Sequence, residues 1–441
     1  MAELFDSLTA PIPPLRDDLE LLPYQKDGEE LRILRDPSGY SEQMLVFRPA
    51  AMALLRLFDG RRSIQDLRDG IHRETGTDLA ADQLLDIVRS LDRYHFLANA
   101  RFTTWRDEHD AEYLARDRRP AAHAGHSYPE DPEELADFLH DLFAADGGAV
   151  EPGRLLGVIC PHIDLQIGPQ VYVPAFRQLA SADVDTVVVL GTSHYSAEDL
   201  FILTAKDFVT PLGTMRTDRE FVELLHTESG GIFTRRDVAH RQEHSIEFPV
   251  VFLQHVFGND RVRLVPILCT SFEEFLVEGR DPGEDERYTA FLRAFHAATA
   301  RLGRKVAFVL SVDWSHVGRK FGDDVDAADV LVALEKFDRE QLTALERCDA
   351  AAFRTLLRDS RNATKIDGFS CITTFFDLAQ PRRGVLFDYQ QWHEEERASA
   401  VTFASMAFFA DDVDQTDDGD HADDLDETDE LDETDDMEET P

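Results

Sequence analysis

Short apolar runs that end in polar residues recur through the middle of the chain. Three of them are Leu155–Cys160, Thr186–Leu190 and Val306–Ser311. Runs of four to eight aliphatic residues, many of them β-branched, are typical of strands buried on both faces, as in parallel sheets. The pattern therefore predicts a central sheet that contains these three strands.

From residue 119 to residue 410, strand-like runs alternate with stretches of helical periodicity. Further strands are expected at Phe201–Thr204, Val262–Leu268, Gly384–Tyr389 and Ala400–Ala407. Helices are expected at Pro132–Phe143, Asp218–His226, Phe248–Val256, Arg287–Arg301, Asp338–Arg347 and Asp349–Leu357. Such alternation predicts an α/β layered sandwich around a mostly parallel central sheet.

A smaller unit is predicted ahead of this domain. Residues 1–26 are rich in proline and indicate an extended arm, and residues 27–100 indicate a compact module. Two short strands flank a turn at Pro37–Gly39, and three helical stretches follow at Pro49–Phe58, Ser63–Thr75 and Ala81–Tyr94. Ser63 is a suitable helix N-cap because Asp66 lies three positions later. Residues 101–118 are charged and indicate a linker.

A strand pair with three helices favours a winged-helix module. The stretch AMALLRLFDGRRSIQDL, residues 51–67, resembles the PqqD-like winged-helix domains that recognise peptides. Winged helices also bind DNA, but the obvious basic clusters of this unit are limited to Arg61-Arg62 and Arg101. Packing or protein recognition is therefore the favoured role.

Charge excludes some classes of partner. The chain has 441 residues and a net charge of −42, whereas binding of nucleic-acid phosphates needs a basic surface. Residues 411–441 contain 18 Asp or Glu and no Lys or Arg, so this acidic tail is expected to be disordered. The sequence lacks a long apolar run and a secretory signal, so a cytoplasmic protein without membrane contact is expected.

Histidines follow the three predicted central strands. His162 comes two residues after the first strand, His194 four after the second and His316 five after the third. Ligands of parallel α/β sheets bind beyond the carboxyl ends of the strands. These side chains are therefore expected at one edge of the sheet, where they indicate a metal or acid/base site.

The polar clusters, taken in chain order, resemble those of the Memo family, also called AmmeMemoRadiSam system protein B. The clusters are His123-Ala124-Gly125 with Tyr128-Pro129, Pro161-His162, Gly191-Thr192-Ser193-His194, Thr210-Pro211-Leu212-Gly213, Glu243-His244-Ser245-Ile246-Glu247 and Ser311–Gly318. The resemblance covers residues 119–410. It implies the fold of the class III extradiol dioxygenases, which hold a non-haem iron.

The resemblance makes His162 and His194 metal ligands and places Asp367 where Memo proteins have a cysteine. Two imidazoles and one carboxylate form the facial triad that binds Fe(II) with open positions. Iron(II) is thus the favoured cofactor, with copper or zinc as alternatives. If the family's chemistry depends on the thiol, the site is instead degenerate and binds no metal.

The same resemblance makes His316 an acid/base residue, for which an imidazole is suited by its pKa near neutrality. Asp313 is expected to orient His316 or to bind solvent. His244 and Glu247 are expected either to line the pocket around the ligands or to cap a helix. Asp164 is either a second carboxylate near the metal or a local cap. His123 opens a family cluster and is expected to line the pocket.

Two functions remain open. The first is a non-haem iron oxidoreductase with dioxygenase-like chemistry on a small polar or aromatic molecule. The second is a non-catalytic module whose cleft binds a peptide or protein. The family's association in name with radical SAM and AMMECR-type proteins makes these the expected protein partners, and the PqqD-like likeness favours the second function.

Overall fold

The computed structural model of this protein describes residues 7–26, 29–41 and 43–410. The acidic tail, residues 411–441, lies outside these described residues, so its predicted disorder stays a prediction. Among the helices of the described residues, none combines the length and the apolar character needed to cross a membrane.

The chain begins with a small antiparallel sheet and three helices. The strands are β1 (Glu20–Lys26), β2 (Glu29–Arg35) and β3 (Leu45–Phe47), and the helices are α1 (Met52–Leu55), α2 (Ile64–Thr75) and α3 (Ala81–Arg93). The last part of the predicted extended arm, residues 1–26, forms β1, which pairs with β2 along its whole length. Leu67, Leu84, Val88 and Phe96 form a fully buried core of this unit. Its assignment as a winged helix stays a prediction.

Most of residues 101–118, predicted as a linker, forms helix α4 (Ala100–Leu114), and the domain boundaries stay a prediction. The Asn99 side chain caps the helix by accepting a hydrogen bond from the Phe102 amide. Phe102 and Tyr113 are buried, so α4 packs against its surroundings like a structural element rather than a spacer. Strands β1–β3 and helices α1–α4 are called the N-terminal module below.

The remaining elements form the main domain. Its strands are β4 (Arg118–Arg119), β5 (Leu155–Cys160), β6 (Thr186–Thr192), β7 (Phe201–Leu203), β8 (Asp207–Thr210), β9 (Gly213–Met215), β10 (Arg263–Cys269), β11 (Val306–Ser311), β12 (His316–Gly318), β13 (Arg383–Glu394) and β14 (Ser399–Phe409). Its helices are α5 (Pro132–Ala145), α6 (Tyr172–Ala180), α7 (Arg219–Glu228), α8 (His244–Phe257), α9 (Glu273–Glu278), α10 (Glu286–Leu302), α11 (Leu331–Glu346), α12 (Ala350–Ser360) and α13 (Phe369–Ala379).

The central sheet has eight strands within the described residues and is mixed. Its order is β12-β14-β5-β11-β6-β10-β7, and β13 pairs with β14. Only the inner strands β5, β11, β6 and β10 run parallel. The prediction of a mostly parallel sheet is therefore wrong, because β13 and β14 form a hairpin, which is necessarily antiparallel, and β14 then runs antiparallel to β5.

Apolar clusters cover both faces of the sheet. In β6, Val187 and Val189 belong to one cluster with α5, α6 and α8, whereas Val188 and Leu190 belong to a second with α7, α10 and α13. The parallel strands are thus buried on both sides, as an α/β domain requires. Their carboxyl ends remain at one edge and can carry polar loops. The likeness to the class III extradiol dioxygenases stays a prediction.

The N-cap of α2 gives a test of the N-terminal module. Ser63 and Asp66 form a reciprocal capping box, with each side chain accepting from the other residue's amide. Replacing such a cap costs about 1 kcal/mol. We expect Ser63→Ala to lower the urea midpoint of the module, whereas Ser90→Ala, which removes an exposed hydroxyl inside α3, should leave it nearly unchanged. Equal effects of the two variants would contradict this assignment.

Candidate metal centre

Three imidazole rings meet beyond the carboxyl ends of the parallel strands. His162 follows β5, His194 follows β6, and His244 is the first residue of α8. One nitrogen from each ring lies within 4.8 Å of the others. The structure thus brings His162 and His194 together, and it adds His244 at the same point.

His162 is held so that one nitrogen faces this point. Its Nδ1 lies 3.0 Å from the carbonyl oxygen of Ser311, at the end of β11. A carbonyl only accepts, so Nδ1 carries the proton and donates. The backbone amide of His162 donates to the Asp313 carboxylate at 2.9 Å. Backbone and side chain are therefore both fixed by the neighbouring strand, which leaves Nε2 directed at the site.

His194 is fixed by Glu243, a residue that sequence analysis missed as a functional side chain. One carboxylate oxygen of Glu243 lies 2.9 Å from His194 Nδ1, and the other accepts from the His194 amide at 2.8 Å. Glu243 is fully buried, whereas the His194 side chain exposes 33% of its surface and is accessible to solvent. The signal was available, because Glu243 opens the Glu-His-Ser-Ile-Glu motif immediately before a predicted helix.

His244 takes its position from the start of α8. Glu243 is the N-cap of this helix and accepts from the Ser245 amide, and the Ser245 hydroxyl donates to the Thr192 carbonyl at 2.8 Å. Gly191 permits this approach, because a Cβ at that position would lie 2.6 Å from the Ser245 oxygen. The close contact between α8 and β6 places His244 beside His194, with ring centroids 4.7 Å apart.

Asp367 brings a carboxylate to the same point. Its Oδ2 lies 2.9 Å from His162 Nε2 and 4.0 Å from His194 Nε2, and its Oδ1 accepts from the Asp313 amide at 3.1 Å. The Gly368 that follows allows this loop to approach, because a Cβ there would lie 2.9 Å from the Val312 side chain. Asp367 therefore lies beside His162 and near His194, and its assignment as the third ligand stays a prediction.

These donor atoms fit a metal ion. Two ligand atoms that are each about 2.1 Å from one ion lie about 3 Å apart as neighbours and about 4 Å apart across it. The 2.9 Å from Asp367 Oδ2 to His162 Nε2 matches neighbouring ligands, whereas the 4.0 Å to His194 Nε2 has to shorten by about 1 Å for the three atoms to share one face of an ion. In the metal-free protein the protonated Nε2 of His162 is the charged partner of this buried oxygen, and within the described residues Oδ2 has no further hydrogen-bond donor. A metal ion that replaces this proton satisfies the same oxygen.

His316 and Asp313 lie next to these ligands in different roles. His316 Nδ1 lies 3.1 Å from the carbonyl of Trp314 and 3.0 Å from that of Lys365, so Nδ1 donates and Nε2 is left as an acceptor. Asp313 accepts from the amides of His162 and Ile163. Backbone carbonyls, not Asp313, therefore orient the His316 ring, and Asp313 instead holds the loop that carries His162.

The other candidates anchor the segment that enters the main domain. The fully buried Glu247 pairs with Arg119, accepts from the hydroxyl of Tyr128 and accepts from the His123 amide at 2.9 Å. The His123 ring lies 5.8 Å from that of His244 and lines the site from behind. Asp164 accepts from the Ser127 hydroxyl and from the Gln166 amide, which is a local cap. Glu247 and Asp164 thus act as structural anchors.

The charges of the site favour a cation. Burial lowers the pKa of His162, but the carboxylates of Asp313 and Asp367 outweigh this and raise it to about 10. Burial also lowers the pKa of His194, but the carboxylate of Glu243 outweighs this effect, so the pKa of His194 is raised. Burial and the charge of His194 hold the pKa of His244 well below its usual value. Protons therefore neutralise the buried acids in the absence of metal, and a divalent ion can replace them.

Comparison with known proteins supports a family assignment. Residues 119–407 match the family described as Memo-like protein. The chain is 31% identical over 398 residues to a MEMO1 family protein of Aquifex aeolicus, covering 88% of this chain and 98% of that protein. It is 26% identical over 341 residues to the MEMO1 family protein TTHA0924 of Thermus thermophilus, covering 77% of this chain and 97% of that protein. The Caenorhabditis elegans protein memo-1 homolog is 28% identical over 250 residues, which are 55% of this chain and 67% of that protein.

The raised pKa of His162 predicts how metal binding depends on pH. At pH 7 the ring carries a proton, and a metal ion needs the unprotonated nitrogen, so binding releases that proton. We expect the affinity for Co(II) to rise between pH 6.5 and 8.5 by at least about tenfold per pH unit, because His162 releases one proton and the pKa of His194 is raised too. Competition titrations against a chromophoric chelator measure this slope, and an affinity that stays constant with pH would rule the prediction out.

The metal-free protein provides the control. A pKa that is higher in the folded than in the unfolded state stabilises the fold below about pH 6.5, and this contribution is lost as the pH rises toward 10. The Tm of the metal-free protein should therefore fall more steeply between pH 7 and pH 9.5 than that of its His162→Gln variant.

Proposed function

Because this chain belongs to the Memo-like protein family, we propose that it is a metal-dependent oxidoreductase whose ion is held by His162, His194 and Asp367. The observation that carries the proposal is the convergence of two imidazole nitrogens on one buried carboxylate oxygen, that of Asp367. His244 offers a further imidazole at the same point.

Iron(II) is the proposed metal. Two histidines and a carboxylate are the ligand set of non-haem iron enzymes that react with dioxygen, and a carboxylate favours iron over soft metals that prefer thiolates. Three imidazoles are also a ligand set of catalytic zinc, and imidazole suits copper as well. If His244 binds in place of Asp367, zinc or copper becomes the better match.

Iron(II) held by His162, His194 and Asp367 would supply Lewis-acid and redox chemistry for a small molecule and dioxygen. The chain's own groups do the rest. Glu243 and Ser311 keep His194 Nε2 and His162 Nε2 directed inward. His316, whose Nδ1 is held by two carbonyls, presents Nε2 as a base for a substrate hydroxyl. A polar or aromatic alcohol is thus the proposed substrate class.

Metal content tests the ligand set. Protein purified without oxygen should contain about one iron per chain, and His194→Ala and Asp367→Ala should each remove it, because each takes away one donor. Asp164→Asn serves as the control, because this carboxylate caps a turn and should leave the iron content unchanged. Unmutated protein that binds no iron, copper or zinc after anaerobic reconstitution would refute the proposal.

The identity of residue 367 should control metal preference. Asp367→Cys restores the residue expected from Memo proteins, and a thiolate prefers softer metals than a carboxylate does. We expect this variant to gain a thiolate-to-metal charge-transfer band with Co(II) and to favour copper or zinc over iron. The absence of this band in a folded, Co(II)-binding variant would show that residue 367 does not reach the ion.

The role of His316 is tested by separating turnover from binding. His316→Gln keeps a side-chain donor but lacks a basic nitrogen, so kcat for dioxygen uptake with catechol-type probes should fall by about 10²- to 10⁴-fold. Iron content and KM should change little. A loss of iron together with activity would instead assign His316 a ligand or purely structural role.

A peptide- or protein-binding role is the second candidate. A polar cleft of about 420 Å³ lies between the N-terminal module and the main domain, with Tyr40 on one side and Tyr195, the neighbour of His194, on the other. We propose radical SAM or AMMECR-type proteins as partners in that case. Tight peptide binding by metal-free protein that never turns over catechol probes would favour this function.

A further inference from the structure

The N-terminal module contacts the segment that leads into the metal centre. The guanidinium of Arg241, in the main domain, donates to the Asp110 carboxylate of α4 at 3.0 Å and to the Ser38 carbonyl at 2.9 Å. It also lies over the ring of Tyr40, 4.5 Å from the centroid. The Arg241 side chain exposes 9% and that of Asp110 only 3%, so this is a buried ion pair between the two units.

Tyr40 and Gly39 of the N-terminal module fix the geometry of this contact. Tyr40 donates its hydroxyl to the same oxygen of Asp110 at 2.9 Å, which fixes the carboxylate that Arg241 binds. The neighbouring turn contains Gly39 with φ +72°, and a Cβ at this position would lie 3.0 Å from the Gln242 side chain. The turn therefore packs directly on the residue that follows Arg241.

The next two residues of that segment belong to the metal centre. Arg241 and Gln242 are followed by Glu243, whose carboxylate is hydrogen-bonded to the ring of His194, and by His244. The Gln242 carbonyl is 2.9 Å from His123 Nε2, and the Glu243 carbonyl accepts from the buried Arg119 at 2.8 Å. His123 and Arg119 of the main domain thus bind the backbone of this segment, and the N-terminal module binds it through the side chain of Arg241.

We propose that docking of the N-terminal module on Arg241 sets the position of Glu243 and His244, so that Asp110 and Arg241 are positioning residues of the metal centre. This inference rests on the proposed metal-dependent function and deepens it. All donor atoms of the metal centre then come from the main domain, but the N-terminal module helps to hold them in position.

The cleft between the units connects the contact to the second loop of the site. Its lining includes Tyr40, Asp110 and Arg241 from the contact, and Tyr195 and Ser196 from the loop after His194. The segment that ends at His244 and the loop that follows His194 therefore both reach the module. A change in docking acts on His194 and His244 together, because Glu243 contacts the rings of both.

The test compares two arginines that bind the same carboxylate. Arg241→Gln and Asp110→Asn should each weaken Co(II) binding by about tenfold, at the lower end of the effects seen when groups that orient ligands are changed. The double variant should be no weaker than either single variant, because both remove one interaction. Arg236→Gln is the matched control: Arg236 also donates to Asp110, at 3.1 Å, but it lies five residues before Arg241 and its side chain is 59% exposed. It should leave the affinity within about twofold of the parent.

Hydrogen exchange separates this inference from the proposed function. Amides of residues 243–257 should exchange faster in Arg241→Gln and Asp110→Asn than in the parent or Arg236→Gln, with or without metal. Arg241→Lys keeps the charge but loses the forked geometry, so an intermediate Co(II) affinity is expected. A parent protein that binds no Co(II) would refute the proposed function. The exchange data alone then show whether docking of the module controls the segment that begins at Glu243. Parent-like exchange and Co(II) affinity in both Arg241→Gln and Asp110→Asn would overturn the inference.

Discussion

The buried carboxylate of Glu243 is the interaction on which the metal centre depends. It binds the ring and the backbone amide of His194, and it caps the helix that begins at His244. A carboxylate is costly to bury unless it is hydrogen-bonded, and here every partner belongs to the site. The orientation of one imidazole and the start of the helix that carries another therefore have the same cause.

The sheet supplies the rest of the convergence. Strands β5, β11 and β6 are parallel neighbours, so the loops that follow them carry His162, Asp313 and His194 to one edge. Asp313 ties two of these loops together by accepting from the amide of His162. With Asp367 added, three buried or nearly buried acids surround the imidazoles. The result is an electrostatic environment that favours a cation.

Apolar runs in the sequence predicted the inner strands of the central sheet and the positions of the histidines that follow them. Strands β5 and β11 have the bounds that their apolar runs indicated, and His162 and His194 meet as the strand ends required. Helix α13 was missed because it is buried almost all round, so its sequence lacks the polar face that marks a helix. The order of the mixed sheet was not predictable either, since it depends on pairing between distant segments.

The interaction partners of the site residues were equally beyond local patterns. Asp110 was assigned to a linker, yet it pairs with Arg241, 131 positions away. Arg119 reaches Glu247 across a similar distance in sequence. Such pairs follow from packing of the whole chain, whereas the ligand types follow from motifs. The chemistry of the site was therefore easier to predict than the contacts that hold it.

X-ray absorption of the iron-loaded protein, prepared without oxygen, tests the central claim most directly. A ferrous ion held by His162, His194 and Asp367 should show only nitrogen and oxygen neighbours at about 2.0–2.2 Å, with the outer scattering of at least two imidazoles. A sulfur neighbour near about 2.3 Å, or a spectrum without imidazole scattering, would contradict the account.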